Sequence, residues 1–504
     1  MIILETPTKA RLTGLDLGLV TSHLRYIDKK VDYEIKRFKH NAHFYVRDSE
    51  SQQDYEEKLA VLKASRQKSL LFTDEDGHFT HSGLAHWLAA QFQTEVRVDY
   101  QMPAPQVIPY AKAPKHEPRY YQVEAHDRLL ETAHLGPRRV EIGTGLGKST
   151  IIRMALKSLG LKTLVMAPST SIAEQLYDDL VYHFGKRYVG FFGGGKKQSD
   201  KLFVVGIDDS LTKVDPGSEH WANLNKTQVF IADESHLCPA ETLAKVCMGV
   251  VGDAPYRFFF SATQIRNDGL ELVLDGITGE TVYSKTVREG VDEGFLARPH
   301  FRMVETTSEE RCSSPDPNKI TRAHLYYNPN VIRIAAELAN RFVGVMKKPT
   351  VILIEELEQF VRLRAFLRHE HAFAHGPLNK DTKKIVPAEF HDVDNGDLVE
   401  RFNKGEIPIL IGTSCIATGT DIQAVEAMIY IQGKSSEVKV KQALGRDTRG
   451  GTKGFVFNPW TGKQKVDCIH VDFDVKNQEV VHRHANIRRG FYDEVYGPTE
   501  TIRL

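Results

Sequence analysis

The chain has 504 residues, 41% hydrophobic and 26% charged, with 66 basic side chains against 66 acidic ones. That length is too great for one hydrophobic core and predicts about three domains. The composition excludes a disordered or collagen-like chain, the neutral balance excludes a polycation, and no apolar run is long enough to span a bilayer. Five scattered cysteines, Cys238, Cys247, Cys312, Cys415 and Cys468, form no C-x-x-C pair. This argues against a disulfide framework or a zinc ribbon and fits a reducing cytoplasm. The opening MIILETPTKARL lacks the features of a secretory leader, so a cytoplasmic location is expected.

Residues 1–100 read as a small α+β domain. Val31–Phe38 alternates apolar and polar and predicts a strand; Glu50–Arg66 predicts a helix. Ser69–Thr73 with Asp76-Gly77 predicts a strand and turn, and His81–Phe92 a helix. Tyr26, Phe38, Phe44 and Trp87 are expected in the core. Residues 101–118 contain Pro103, Pro105, Pro109, Pro114 and Pro118, which bar a helix and predict a linker. From residue 119, apolar runs alternate with helical stretches: Val140–Ile142, Thr163–Ala167, Leu202–Val205, Val229–Ala232 and Arg257–Phe260. Strands buried in a parallel sheet read this way. A second series follows at Thr350–Ile354, Pro408–Gly412 and Ala427–Ile431. The expected architecture is α/β, with two tandem parallel-sheet domains at 119–300 and 301–480 and a C-terminal helical tail at 481–504.

The run ending at Ile142 leads into Gly143-Thr144-Gly145-Leu146-Gly147-Lys148-Ser149 and then a helical stretch, Thr150–Leu159. Glycines let backbone N–H groups turn towards phosphate oxygens, and the helix N-terminus adds partial positive charge. Lys148 is placed to reach β- and γ-phosphates and Ser149 to hold Mg²⁺. Ile142 stands where the strict pattern has glycine. Downstream, Val229–Ala232 ends in Asp233-Glu234, two carboxylates whose position at an apolar strand end is costly without a role. Asp233 suits Mg²⁺ and Glu234 suits polarisation of an attacking water. His369, His371 and His375 are expected at the surface. His470, Asp472 and Asp474 read as an edge or a post-strand turn, and Cys415 as a small filler.

Over about residues 119–450 these motifs resemble those of superfamily-2 helicases. The resemblance implies two RecA-like domains that use ATP and Mg²⁺ to act on DNA, as a monomer. Arg119, Tyr121 and Gln122 resemble the adenine-contacting segment. Gly143, Thr144, Gly145, Gly147, Lys148, Ser149 and Thr150 correspond to the phosphate loop, joined by Gly419 and Asp421. Asp233-Glu234-Ser235-His236 is similar to the DEAH box, with Ser235 in place of alanine, and Ser261-Ala262-Thr263 resembles the coupling motif through Ser261 and Thr263. Gln442 to Arg449 matches Q-x-x-G-R-x-x-R. There Arg446 and Arg449 are implied as arginine fingers worth about three to five orders of magnitude in rate, although Asp447 and Thr448 replace the usual apolar residues. Lys148, Glu234, Gln442, Arg446 and Arg449 form the implied catalytic set. Ser169, Thr170, Gly194, Gly195, Lys196, Thr413 and Ser414 are the implied nucleic-acid contacts. Lys196, Lys197 and Lys201 either extend that contact or form a solvated loop, and the same choice holds for Lys29, Lys30, Lys36, Arg37 and Lys39.

Within the superfamily the likeness is to the phage UvsW-type helicases, alongside RecG, RadD and XPB-like motors. It rests on Phe191–Lys197 before the Val204-Val205-Gly206 strand, on Arg266–Gly269 after Ser261-Ala262-Thr263, and more weakly on the front domain. Remodelling of branched recombination, repair or replication intermediates is thereby implied. An RNA helicase, or a nucleotide-gated duplex-binding ATPase that does not translocate, remain the alternatives.

Overall fold

The computed structural model describes residues 1–46, 49–235, 240–262, 269–417, 422–433 and 448–503. Its strands are β1 (Ile2–Thr6), β2 (Lys9–Leu12), β3 (Arg25–Ile27), β4 (Gln67–Ser69), β5 (Phe72–Asp74), β6 (Gly77–His81), β7 (Val96–Val98), β8 (Arg138–Ile142), β9 (Thr163–Ala167), β10 (Val189–Gly193) and β11 (Lys196–Lys197). They continue as β12 (Phe203–Ile207), β13 (Val229–Ala232), β14 (Tyr256–Ser261), β15 (Glu280–Lys285), β16 (Arg298–Thr306), β17 (Thr350–Leu353), β18 (His371–Ala374), β19 (Ile409–Gly412), β20 (Ala427–Tyr430), β21 (Asp467–Val475) and β22 (Glu500–Arg503).

The chain divides into two compact units. One contains Met1–Ile142 and Lys148–Ser284; the other contains Gly143–Gly147 and Lys285–Leu504. In the first, a five-stranded sheet ordered β5-β6-β2-β1-β7 precedes an eight-stranded sheet ordered β11-β10-β12-β9-β13-β14-β8-β15. From β10 to β8 the strands of the larger sheet run parallel. β9, β10, β12, β13 and β14 are buried at every position, as strands covered by helices on both faces must be. The small sheet is seated on the helix Glu271–Thr278. A Cβ on Gly83 would lie 2.4 and 2.5 Å from the carbonyl oxygens of Asp275 and Gly276, so only glycine permits that approach.

Val31–Phe38 corrects the strand expectation, for it lies in a helix, Lys29–His40, capped by the Asp28 carboxylate accepting from Lys30 N at 3.0 Å. Val31, Ile35 and Phe38 fall at i, i+4 and i+7, one helical stripe, and leave Tyr33 66% exposed outside it. Phe38 stacks on Tyr55 of the helix Ser49–Ala64 at 4.8 Å. Trp87 and Tyr26 pack against the small sheet's core. The proline segment carries no helix, yet its middle is fixed to the rest of the first unit. Gln106 N donates to Leu159 O, Ile108 N to Lys157 O and Ala111 N to His183 O, at 2.6, 3.0 and 2.6 Å.

The second unit holds a seven-stranded sheet ordered β18-β19-β17-β20-β21-β16-β22, parallel throughout. The closing segment is a helix, Glu479–Tyr496, followed by β22, which adds an edge to this sheet rather than ending as helix alone. His470, Asp472 and Asp474 are neither an edge nor a turn: they lie buried on β21, between β20 and β16. Arg488 grips Asp472 with Nε–Oδ2 and Nη2–Oδ1 contacts of 2.7 and 2.9 Å, and the Tyr492 hydroxyl donates to Asp472 Oδ2 at 2.8 Å. These partners satisfy charges that burial would otherwise make costly. His375 is likewise buried, its ring nitrogens 2.7 Å from the carbonyls of Gly376 and Phe390. Among the described residues no group of side chains is arranged to hold a metal ion by itself, and no helix is long and apolar enough to cross a membrane.

Candidate functional site

In the large sheet of the first unit, the parallel strands present their carboxyl ends along one edge, where open α/β sheets bind ligands. β8 runs there into the glycine loop, β13 into Asp233-Glu234, and β14 ends at Ser261. The other half of the same edge carries the segments after β9 and β10, Ser169-Thr170 and Gly193–Gly195. The strand order therefore sorts the candidate nucleotide residues onto one side and the candidate nucleic-acid residues onto the other.

Lys148 opens the helix Lys148–Leu159, and its ammonium pairs with a Glu234 carboxylate oxygen. Ser149 follows on the exposed side of the first turn. In the loop, Gly145 and Gly147 have φ of 85° and 83°, where a side chain is strained, and a Cβ on Gly143 would come within 2.7 Å of the Val287 side chain. Asp233-Glu234-Ser235 is anchored on both flanks. Asp233 N donates to Met166 O of β9 at 2.9 Å, and Ser235 N donates to Phe260 O of β14 at 3.0 Å. Between these anchors Glu234 adopts a φ of 47°, uncommon for a residue with a side chain. Burial, reinforced by the neighbouring Glu234, holds the Asp233 carboxyl above its ordinary range. A cation beside it would reverse that shift. One ammonium, one hydroxyl and two carboxylates form a donor set suited to a phosphate with a hard, oxygen-seeking dication.

Other candidates are placed unevenly. Arg119 caps the helix Tyr120–Thr132; its backbone N donates to Gln122 Oε1 and its guanidinium to the Tyr121 hydroxyl, both at 2.9 Å. Tyr121 is fully buried, so it packs and orients Arg119 while its ring faces the core. Ser169 caps the helix Thr170–Phe184, its Oγ accepting from Ile172 N at 3.4 Å, and Thr170 is exposed. Gly194 and Gly195, at φ of 53° and 84°, have open space where a Cβ would stand. Beside them is a cavity of about 340 Å³ lined by Lys196, Lys197, Lys213, Ser210 and Ser218, which reasoning from the sequence did not gather. Lys213 and Ser218 arrive from later turns, and only the parallel pairing of β10 with β12 brings them near the glycines.

In the second unit, Thr413 follows β19 and Ser414 opens the short helix Ser414–Ala417. Arg449 bridges to Leu296, and burial lowers its guanidinium to about 10. Ser261 is buried at the end of β14. Thr263, Gly419, Asp421, Gln442 and Arg446 lie outside the described residues, as do His236 and the segment Arg266–Asp268.

Residues 115–266 match the family described as type III restriction enzyme, res subunit, and residues 346–451 match the helicase conserved C-terminal domain. Together the two matches take in about half of the chain. The probable helicase D10 of Escherichia phage T5 is 27% identical over 310 residues, 60% of this chain and 63% of the relative. The ATP-dependent DNA helicase uvsW of Enterobacteria phage T4 is 20% identical over 400 residues, covering 75% of this chain and 74% of the relative. The solved structure of S. cerevisiae Dbp5 bound to RNA and ADP BeF3 aligns with 77% of this chain and 90% of its own, with a TM-score of 0.52 and 16% identity, a likeness of fold. The two parallel sheets are those of a pair of RecA-like domains, and the chain belongs to the superfamily-2 helicases.

Proposed function

We propose that this helicase is an ATP-driven DNA motor that unwinds or branch-migrates branched DNA in recombination, repair or replication. The observation that supports the ATPase half is the contact between the Lys148 ammonium and the Glu234 carboxylate at the carboxyl ends of the first unit's parallel strands. In this reading Lys148 and the loop's N–H groups hold the β- and γ-phosphates. Ser149 and Asp233 hold Mg²⁺, which when bound supplies charge compensation for the phosphates. Glu234 takes the proton of the attacking water. Gln442, Arg446 and Arg449 balance negative charge as the γ-phosphate leaves, Arg119 and Gln122 position the base, and Ser261 and Thr263 couple hydrolysis to movement.

Support for DNA comes from the relatives named as DNA helicases, uvsW above all. Ser169, Thr170, Gly194, Gly195, Lys196, Thr413 and Ser414 supply the hydroxyls, N–H groups and charge that bind a sugar–phosphate backbone independently of sequence. Residues 1–100 serve as a duplex-recognition domain tied by 101–118 to motor domains at 119–300 and 301–480. The chain acts as a monomer in the cytoplasm, a host's if it is phage-encoded. The deciding measurement is steady-state ATP hydrolysis with no nucleic acid, single-stranded DNA, duplex, a four-way junction and RNA at one salt concentration. Greatest stimulation by the junction is expected. Stimulation by RNA alone would make this an RNA helicase, and stimulation by duplex without strand displacement would make it a binding ATPase.

A further inference from the structure

Within Gly143–Ser149 only Leu146 carries an apolar side chain, and that side chain is fully buried. Phosphate is held by N–H groups, hydroxyls and cations, so an isobutyl group contributes nothing to it directly. The flanking residues, Gly145 and Gly147, hold left-handed φ angles of 85° and 83°. Glycine loses more conformational freedom on ordering than any other residue. A loop with two such joints keeps one shape only if something between them is anchored, and Leu146 is what lies between them.

The seat of this anchor is built in the second compact unit, to which Gly143–Gly147 itself belongs. Gly143 N donates to Lys285 O at 2.9 Å. A helix follows, Val287–Asp292, capped by Thr286 Oγ1 accepting from Glu289 N at 3.2 Å. On this helix Gly290 is buried, and a Cβ there would stand 2.6 Å from Leu146 Cδ2 and 3.1 Å from Leu296 Cδ1. Leu146, Gly290 and Leu296 are therefore packed together. The Gly290 carbonyl accepts from Phe295 N and Leu296 N at 2.8 and 3.0 Å, which folds the segment back on itself. Leu296 bridges Arg449, and Ala297 N donates to Thr448 O at 2.7 Å. One segment, Lys285–Ala297, thus meets the phosphate loop at Leu146 and the strand residues around Arg449 at Leu296.

We propose that Leu146 is a positioning residue for the nucleotide: seated against Gly290, it holds the phosphate loop in the shape that receives phosphates. An anchored loop meets little ordering cost when the nucleotide arrives, and a loose one meets that cost at every binding event. This rests on the reading of residues 143–149 as an ATP site.

The test uses the full chain and four variants, Leu146→Ala, Leu146→Met, Gly290→Val and the pair Leu146→Ala/Gly290→Val. Steady-state hydrolysis gives KM and kcat, and anisotropy of a fluorescent ADP gives affinity without turnover. Leu146→Ala is expected to raise KM for ATP and weaken ADP binding about tenfold, with kcat at saturating ATP within about twofold of the parent. Leu146→Met keeps the volume and should stay near the parent. Gly290→Val crowds the Leu146 side chain and should weaken ADP binding too. The pair removes the crowding and should lose less than the product of the two single losses. ADP affinity equal to the parent's in Leu146→Ala, a fully multiplicative loss in the pair, or a fall in kcat at unchanged KM overturns the anchor while leaving the ATPase standing. If Leu146→Ala does not fold, Leu146→Val takes its place, with a loss of about threefold expected and parental affinity counting against the anchor. A parent that neither binds ADP nor hydrolyses ATP removes the ATP reading and the anchor with it.

Discussion

Glu234 holds a left-handed backbone angle of 47° between two anchored neighbours, one bonded to β9 and the other to β14. Strain of about 1–3 kcal/mol persists only where surrounding structure over-determines it. Here it aims the carboxylate at Lys148, so the charge and the backbone are separable by mutation. Glu234→Gln keeps the side-chain shape and is expected to leave nucleotide binding intact while lowering turnover by about two to four orders of magnitude. Lys148→Ala is expected to abolish turnover. Phosphate release and fluorescent-nucleotide binding check both, and parental turnover in Glu234→Gln would remove the water-activating role. His81 gives a prediction about pH. Burial lowers its imidazole from 6.5 to about 4, so it is neutral when folded and protonates more readily when unfolded. Its contribution is present above the unfolded value and is lost as pH falls from 6.5 towards 4, about 3 kcal/mol at most. Urea midpoints at neutral and mildly acid pH should diverge in the parent and converge in His81→Asn. At this scale the meeting of Lys148 and Glu234 was legible, because both follow apolar strand runs whose ends a parallel sheet brings to one edge. The angle at Glu234 was not, since it is imposed by neighbouring strands far apart in sequence.

The helix Glu479–Tyr496 is fastened to β21 by a buried arginine–carboxylate pair and a tyrosine hydroxyl. Removing one member of such a pair strands the other without water. Asp472→Ala is therefore expected to cost about 3–5 kcal/mol, read as a lower urea midpoint. Replacing Asp472 and Arg488 together by apolar residues should cost less than Asp472→Ala. In the first unit, Gly83→Val forces a side chain against two carbonyl oxygens and should cost about 1–3 kcal/mol. Faster proteolysis confined to the small sheet would report its detachment from the helix Glu271–Thr278. Both features explain how the elements could be read and where the reading failed. Thr163–Ala167 and Val229–Ala232 announce themselves as strands because both faces are covered and the apolar run is unbroken. His470, Asp472 and Asp474 gave the opposite impression, since the partner that makes their burial tolerable, Arg488, comes many residues later and leaves no local pattern. Val31–Phe38 failed through a coincidence: Tyr33 and Ile35 completed an alternation, although only Val31, Ile35 and Phe38 share a face.

Over the whole molecule, acidic and basic side chains cancel and the sequence pI is about 7.3. Near neutral pH there is no net repulsion between copies, so solubility at low salt is expected to pass through a minimum close to pH 7.3 and rise on either side, as light scattering across pH would show. A flat profile would mean that patch charge outweighs net charge. Any attraction to a polyanion would have to come from local groups such as Lys196 and Lys197, since Lys213 is paired with Asp209, and salt is expected to weaken it. The proline segment carries one more consequence. A stretch with five prolines invites description as a leash, giving whatever it joins freedom to wander. Bonded at Gln106, Ile108 and Ala111, with the small sheet braced at Gly83, it works as a bracket instead. The small sheet should therefore share every displacement of the first RecA-like domain, as a tool moves with its handle.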